Sequence, residues 1–169
     1  TMSESYENYN KELKRAWNIS TKNYFSDTYF NEIENKLSKF HRGLVIFAKM
    51  DQQICNGGFW QLFDNGYVDA LEEAISFLDE TRYEPEFEQY ADKVINTLEE
   101  ALEVHTHFIG EISCLDKWEE WHEVKAEYLE NSRSSYLIPL DHKYYKTNED
   151  FLNRLESYIE RRFVKPSLT

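Results

Sequence analysis

The sequence predicts an all-α fold in a single compact domain of about seven to eight helices. Three observations predict it. Apolar residues recur at three- and four-residue spacing along most of the 169 residues. No stretch alternates apolar and polar residues as a half-buried strand would. Only three prolines and five glycines punctuate the chain, so no flexible linker divides it.

In chain order, Tyr6, Tyr9, Leu13, Ala16 and Trp17 form one stripe, which predicts a first helix from about Ser3 to Trp17. The polar run Asn18 to Ser26 reads as a connection, and Ser26 or Asp27 can cap a second helix with the stripe Phe30, Ile33, Leu37 and Phe40. Leu44, Phe47, Ala48 and Ile54 continue the helical period. A break near Ser38 is expected, because one uninterrupted helix through both stripes would be long for a compact domain. Ala70, Leu71, Ala74, Ile75 and Leu78 mark a further helix. After a connection over Thr81 to Glu84, with Pro85 in a first turn, Phe87, Tyr90, Ala91, Val94, Ile95, Leu98, Ala101 and Leu102 give the clearest amphipathic helix in the chain. It is expected to stop near Phe108, before Gly110. Leu115, Trp118, Trp121, Tyr128 and Leu129 predict the next. Asn131 to Asp141, with Pro139 inside, reads as loop. The last helix carries Phe151, Leu152, Leu155, Tyr158, Ile159 and Phe163, with Thr147 or Asn148 as its cap and Arg161, Arg162 and Lys165 at its end, where cations favour the helix dipole.

One stretch stands apart, Asn56-Gly57-Gly58-Phe59-Trp60-Gln61-Leu62-Phe63-Asp64-Asn65-Gly66. The glycine pair follows an apolar helix and should break it, since glycine accepts positive φ without steric cost. Phe59, Leu62 and Phe63 then recur at helical spacing, and Asn65-Gly66 closes the short helix. Gln61 and Asn65 lie four apart and share a face. The pattern Asn-Gly-Gly-Phe-x-Gln-x-Phe-x-Asn resembles the core of the DNA mimic protein 19 family. The resemblance extends loosely through Leu78 and returns at Leu140 to Phe163, where Leu140-Asp141-x-x-Tyr144-Tyr145 precedes the last helix. It implies a small, acidic, all-α bacterial protein. It also implies an activity known for the family's named member, which imitates duplex DNA and occupies a DNA-binding transcription factor. That member is a dimer, so a homodimer is implied as well. The motif residues Asn56, Gly57, Gly58, Phe59, Gln61, Phe63 and Asn65 are read as structural, with the glycines letting helices approach and the phenylalanines pinning the short helix inward.

Charge is the other informative feature. The net charge is −13, which repels nucleic acid and anionic lipid and favours basic partners. The acidity is confined to the middle: residues 69 to 130 hold 19 Asp+Glu against 4 Lys+Arg, while the rest of the chain is near neutral. Glu88, Asp92, Glu99 and Glu103 fall on the polar face of the helix after Pro85. Asp116, Glu119, Glu120, Glu123 and Glu127 repeat the spacing on the next. Each ridge places about one carboxylate per 5–6 Å. Three ridges side by side would approach one charge per ~2 Å, close to the ~1.7 Å of duplex DNA. A charged helix face is ordinarily just a solvated one. Here, however, few lysines are interspersed, and crowding like charges costs stability that alternation would recover.

Chemical sites are weakly signalled, and no enzyme activity, cofactor or metal is expected. Glu119-x-x-His122 is half of a di-iron carboxylate motif without its second copy. His122-Glu123-Val124-Lys125-Ala126 lacks the second histidine of a zincin helix. His105 and His107 point to different faces, and Cys55 and Cys114 have neither metal nor disulfide spacing. No phosphate loop or nucleophile elbow occurs. No signal segment opens the chain and no run reaches the length of a membrane span, so a reduced, cytoplasmic setting is expected. Three readings remain: a DNA mimic bound to a DNA-binding protein, an immunity protein neutralising a basic nuclease-type toxin, and an enzyme with a polar pocket near Gln61 and Asn65. The first two need a basic protein as partner, with neither nucleic acid nor membrane bound directly.

Overall fold

The computed structural model describes residues 6–19, 37–82, 84–85, 87–112, 123, 126–127, 130–131 and 136–164. Every regular element among them is helical: α1 (Glu7–Ile19), α2 (Lys39–Asp64), α3 (Val68–Thr81), α4 (Glu88–Ile112) and α5 (Ile138–Ile159), the last continuing as a π-helical turn over Glu160–Val164. Consecutive helices from α2 to α5 pack side by side, and α5 returns to touch α2. Helix α1 lies across α2 and α5.

The expected stripes are the buried faces. Tyr9, Leu13 and Ala16 of α1 sink into the core beside Leu44, Phe47, Met50 and Ile54 of α2. Leu71, Ala74, Phe77 and Leu78 of α3 meet Ala91, Val94, Leu98 and Ala101 of α4, and Tyr144, Phe151, Leu155 and Ile159 of α5 complete the interior. Trp17, the last member of the α1 stripe, has its side chain outside the described residues. Gly43 faces α3, and a Cβ there would run into the Phe77 ring. Ser38 starts α2: its Oγ accepts from His41 N at 3.2 Å, as an N-cap serine does. The start of α2 at Ser38 agrees with the break expected there, and the residues before Leu37 lie outside the described ones.

Three expectations need correction. Five α-helices are present among the described residues, fewer than seven to eight. The short helix expected after the glycine pair is present: Gly57 and Gly58 leave the helical backbone, so α2 consists of two helical segments joined at a kink, while the stripes at 30–37 and 115–129 lie largely outside the described residues. Helix α4 does not stop before Gly110 but runs to Ile112, since one interior glycine costs a helix only about 1 kcal/mol. Helix α5 begins about ten residues early: Pro139 is in its first turn, where the missing N–H has no helical partner to lose. Thr147 and Asn148 are consequently interior rather than caps. The Thr147 hydroxyl donates back to Lys143 O at 3.1 Å, and Asn148 faces the core.

Two carboxylates of α5 hold the N-termini of other helical segments. Glu156 accepts from Asn8 N at 2.8 Å and Tyr9 N at 2.7 Å, satisfying the first turn of α1. Asp141 does the same for the segment after the kink. A further polar tie joins α1 to α2, where Glu12 Oε2 lies 2.8 Å from Nε2 of the buried His41.

Candidate functional site

The glycine motif is a kink built against α5. Gly57 has φ −148° and ψ 18°, and Gly58 has φ 73° and ψ −174°. The Gly58 conformation is one that residues with a Cβ avoid. A Cβ on Gly58 would in addition collide with the carboxylate of Asp141. That carboxylate is close because it caps the new helical start: Phe59 N donates to Asp141 Oδ1 at 2.8 Å. Phe59 and Phe63 turn inward and are fully buried or nearly so, with the Phe59 ring edge-on to Tyr144. Asn65 is the C-cap and Gly66, at φ 79°, ends the segment. The two stretches that the sequence marked separately, Asn-Gly-Gly-Phe and Leu-Asp-x-x-Tyr-Tyr, are thus one contact.

The polar residues of the motif brace this kink. Buried Gln53 Oε1 accepts from Gln61 Nε2 at 3.0 Å and from Asn65 Nδ2 at 2.9 Å, and Gln61 Oε1 accepts from Asn56 Nδ2 at 3.0 Å. The shared face of Gln61 and Asn65 therefore has a partner, one that the sequence did not single out. Tyr145 adds a bond from its hydroxyl to Ile54 O at 2.8 Å, at the last turn before the kink.

One turn upstream lies Asp51, a residue the sequence reading passed over. It occupies the apolar stripe of α2 between Phe47 and Ile54, and an acid on a core stripe was the available signal. Its Oδ1 accepts from Tyr144 Oη at 2.6 Å, from Asn148 Nδ2 at 3.1 Å and from Cys55 Sγ at 3.7 Å. Burial pushes this carboxyl above its ordinary range, and the three donors oppose that shift. Burial and the nearby Asp51 also push the Cys55 thiol up to about 12, so it behaves as an inert thiol at neutral pH.

The raised pKa has a stability consequence. Between the unfolded value, near 3.8, and the higher folded value, the native state holds a proton that the unfolded chain has lost. Stability contributed by this group falls as pH rises through that window. Asp51→Asn keeps an oxygen for the three donors and removes the charge. It is expected to raise the melting temperature over the parent at pH 8, with the difference closing toward pH 4. Melting curves of both proteins across that range check it, and a constant offset would contradict it.

The acidic residues divide into two groups. Glu88, Asp92, Glu99 and Glu103 fall within about 60° of the circumference of α4. Glu88, Glu99 and Glu103 are exposed and make no ion pair among the described residues, while Asp92 lies 3.4 Å from Arg82. The acids of α3 are different: Glu73 pairs with Arg42 at 3.0 Å, Asp79 with Arg82 at 3.2 Å, and Glu80 with Lys39. On the inner edge of α4, Glu100 holds Lys143 at 2.8 Å. Glu123 and Glu127 are exposed, and Asp116, Glu119 and Glu120, like His122 and Cys114, lie outside the described residues. His105 packs on Phe63, with ring centroids 4.8 Å apart. Among the described residues no three His, Cys, Asp or Glu side chains are grouped to hold a metal ion, and no helix is long and apolar enough to cross a membrane.

Comparison with known proteins adds one match. Residues 35–162, which include α2 to α5 entire and both halves of the kink contact, match the family described as DMP19-like protein. No curated protein and no solved structure matches the chain. The matched span is well over half of the sequence and contains the Asn56–Asn65 motif together with the Asp141 that caps it, so the chain belongs to the DMP19-like protein family.

Proposed function

We propose that this chain is a non-enzymatic, acidic protein-binding domain whose α4 face receives the basic surface of a DNA-binding protein in place of duplex DNA. One observation carries the reading. Glu88, Glu99 and Glu103 stand exposed along one side of α4 without an ion pair among the described residues, whereas Lys39, Arg42 and Arg82 are engaged on α3. Cations that would have screened a purely solvated surface are spent elsewhere. Glu88, Glu99 and Glu103 therefore keep their attraction for an incoming cationic partner, while Asp92 shares Arg82 with Asp79. In this reading Glu123 and Glu127, both exposed, and Asp116, Glu119 and Glu120, which lie outside the described residues, add to the negative charge that the partner meets. The domain works without a cofactor, and its glycine motif serves the fold.

The test is capture of the partner from its native cell, followed by competition with duplex DNA on the purified pair. Duplex DNA should displace the chain from the partner, because both occupy one basic surface. A partner that holds the chain undiminished under saturating DNA would sink the mimic reading and favour neutralisation of a basic toxin.

A further inference from the structure

Between α1 and α2, with no residue of α4 in its lining, lies a cavity of about 750 Å3. That volume is within the range of about 300–1,000 Å3 typical of small-molecule sites. Its apolar wall includes the Tyr9 ring, Leu13 and Ala48, and its charged lining residues are Lys14, Lys49 and Asp51. Two of the three charged residues lining it are lysines, Lys49 also lying over the Tyr67 ring at 5.9 Å. The charged residues lining the cavities beside α4 are Glu99, Glu100 and Glu103, with Lys143 in one of them.

Three polar groups in this lining are incompletely used. All three donors to Asp51 converge on Oδ1, so Oδ2 accepts from no described residue. The Oδ1 atom of Asn10 is buried with no hydrogen-bond partner. The Tyr9 hydroxyl, near enough to Asp51 to feel its charge, makes no hydrogen bond with a described residue, while the Tyr9 backbone N–H donates to Glu156. Buried polar atoms of native proteins are nearly always paired, and an orphan beside a cavity points to a group that the cavity receives. None of these residues takes part in the acidic face, so the site is independent of the function proposed above.

We propose that this cavity binds a small organic anion with an aromatic or branched aliphatic body, its apolar part against Tyr9, Leu13 and Ala48, its charge at Lys14 and Lys49, and a hydroxyl or carbonyl at the Asp51 end. The apolar wall supplies the driving force, and burying a ring of ordinary size there contributes the larger part of the affinity. The lysines choose the sign of the ligand. The inner end selects a hydrogen-bonding group, because an apolar end would leave Asp51 and Asn10 unpaired.

The probe for the test is 8-anilinonaphthalene-1-sulfonate, an aromatic anion whose fluorescence rises in an apolar site. Folded protein at neutral pH should bind it saturably with one dye per chain. Ala48→Trp, which fills the cavity, should weaken binding at least tenfold with the helical circular dichroism retained. Lys14→Glu alters an exposed residue outside the core and decides the matter if the tryptophan variant fails to fold; it should weaken binding about tenfold. In nuclear magnetic resonance spectra, dye addition should move the Asn10, Ala48 and Asp51 signals most. No saturable binding below millimolar dye, or equal affinity for Lys14→Glu and the parent, overturns the proposal.

Discussion

Gly58→Val is expected to lower stability by roughly 3–6 kcal/mol, which is a large share of the ~5–15 kcal/mol that holds a typical domain. Two effects add. The backbone at φ 73° and ψ −174° is essentially a glycine conformation, costing about 1–3 kcal/mol for any other residue. The new side chain also drives into the Asp141 carboxylate and displaces it from Phe59 N, and a hydrogen bond to a charged group is worth about 1.5–3 kcal/mol. For a chain of this length the melting temperature should fall by on the order of 10 °C. Gly58→Ala should show most of the effect, because the first added carbon already meets Asp141. The steric part is separable: Gly58→Ala should cost less in an Asp141→Ala background, where the cap is gone and the space is open, than in the parent. Thermal melts of the four proteins make the cycle, and an unchanged melting temperature for Gly58→Val would remove the structural role assigned to the motif.

The second large effect concerns binding rather than stability. Glu88, Asp92, Glu99 and Glu103 changed together to Gln should leave the melting temperature within a few degrees of the parent. Glu88, Glu99 and Glu103 have no ion pair among the described residues to lose, and the Asp92–Arg82 contact, 3.4 Å long and half exposed, is of the kind that contributes about 0–1 kcal/mol. Partner affinity should instead fall by on the order of a hundredfold, since ~0.7 kcal/mol per lost carboxylate already amounts to that factor. The α3 acids provide the contrast. Glu73, Asp79 and Glu80 changed to Gln should have a smaller effect on binding, because their charges already face Arg42, Arg82 and Lys39. Affinity measured by titration for both variants separates the two groups, and equal losses would show that total charge rather than the α4 face is what the partner reads.

How much of this the sequence disclosed depends on the range of the interaction. Local patterns were legible. The stripes Tyr9–Leu13–Ala16 and Ala91–Val94–Leu98 are core faces, α2 starts at the break expected near Ser38, and Gly58 and Gly66 have positive φ. Pro139 was misread because proline terminates helices as readily as it begins them, and only the first turn of α5 tells which. Partnerships between distant residues were not legible. Asp141 and Phe59 are 82 positions apart, and Gln53 gave no sign of joining Gln61 to Asn65. The family resemblance marked Asp141 and Tyr144 without saying what they do. Asp51 was visible as an acid on a core stripe, but its partners come from α5. The same limit hid the division among the acids: carboxylates of α3 and α4 look alike in sequence, and only the fold brings Lys39 and Arg42 to α3.

The salt dependence of partner affinity, measured on the parent beside the Glu88/Asp92/Glu99/Glu103→Gln variant, tests the central claim most directly. A steep fall in the logarithm of the binding constant with the logarithm of salt concentration is predicted for the parent, and a much shallower slope for the variant. Equal slopes for the two proteins would contradict the assignment of the α4 carboxylates as the binding surface.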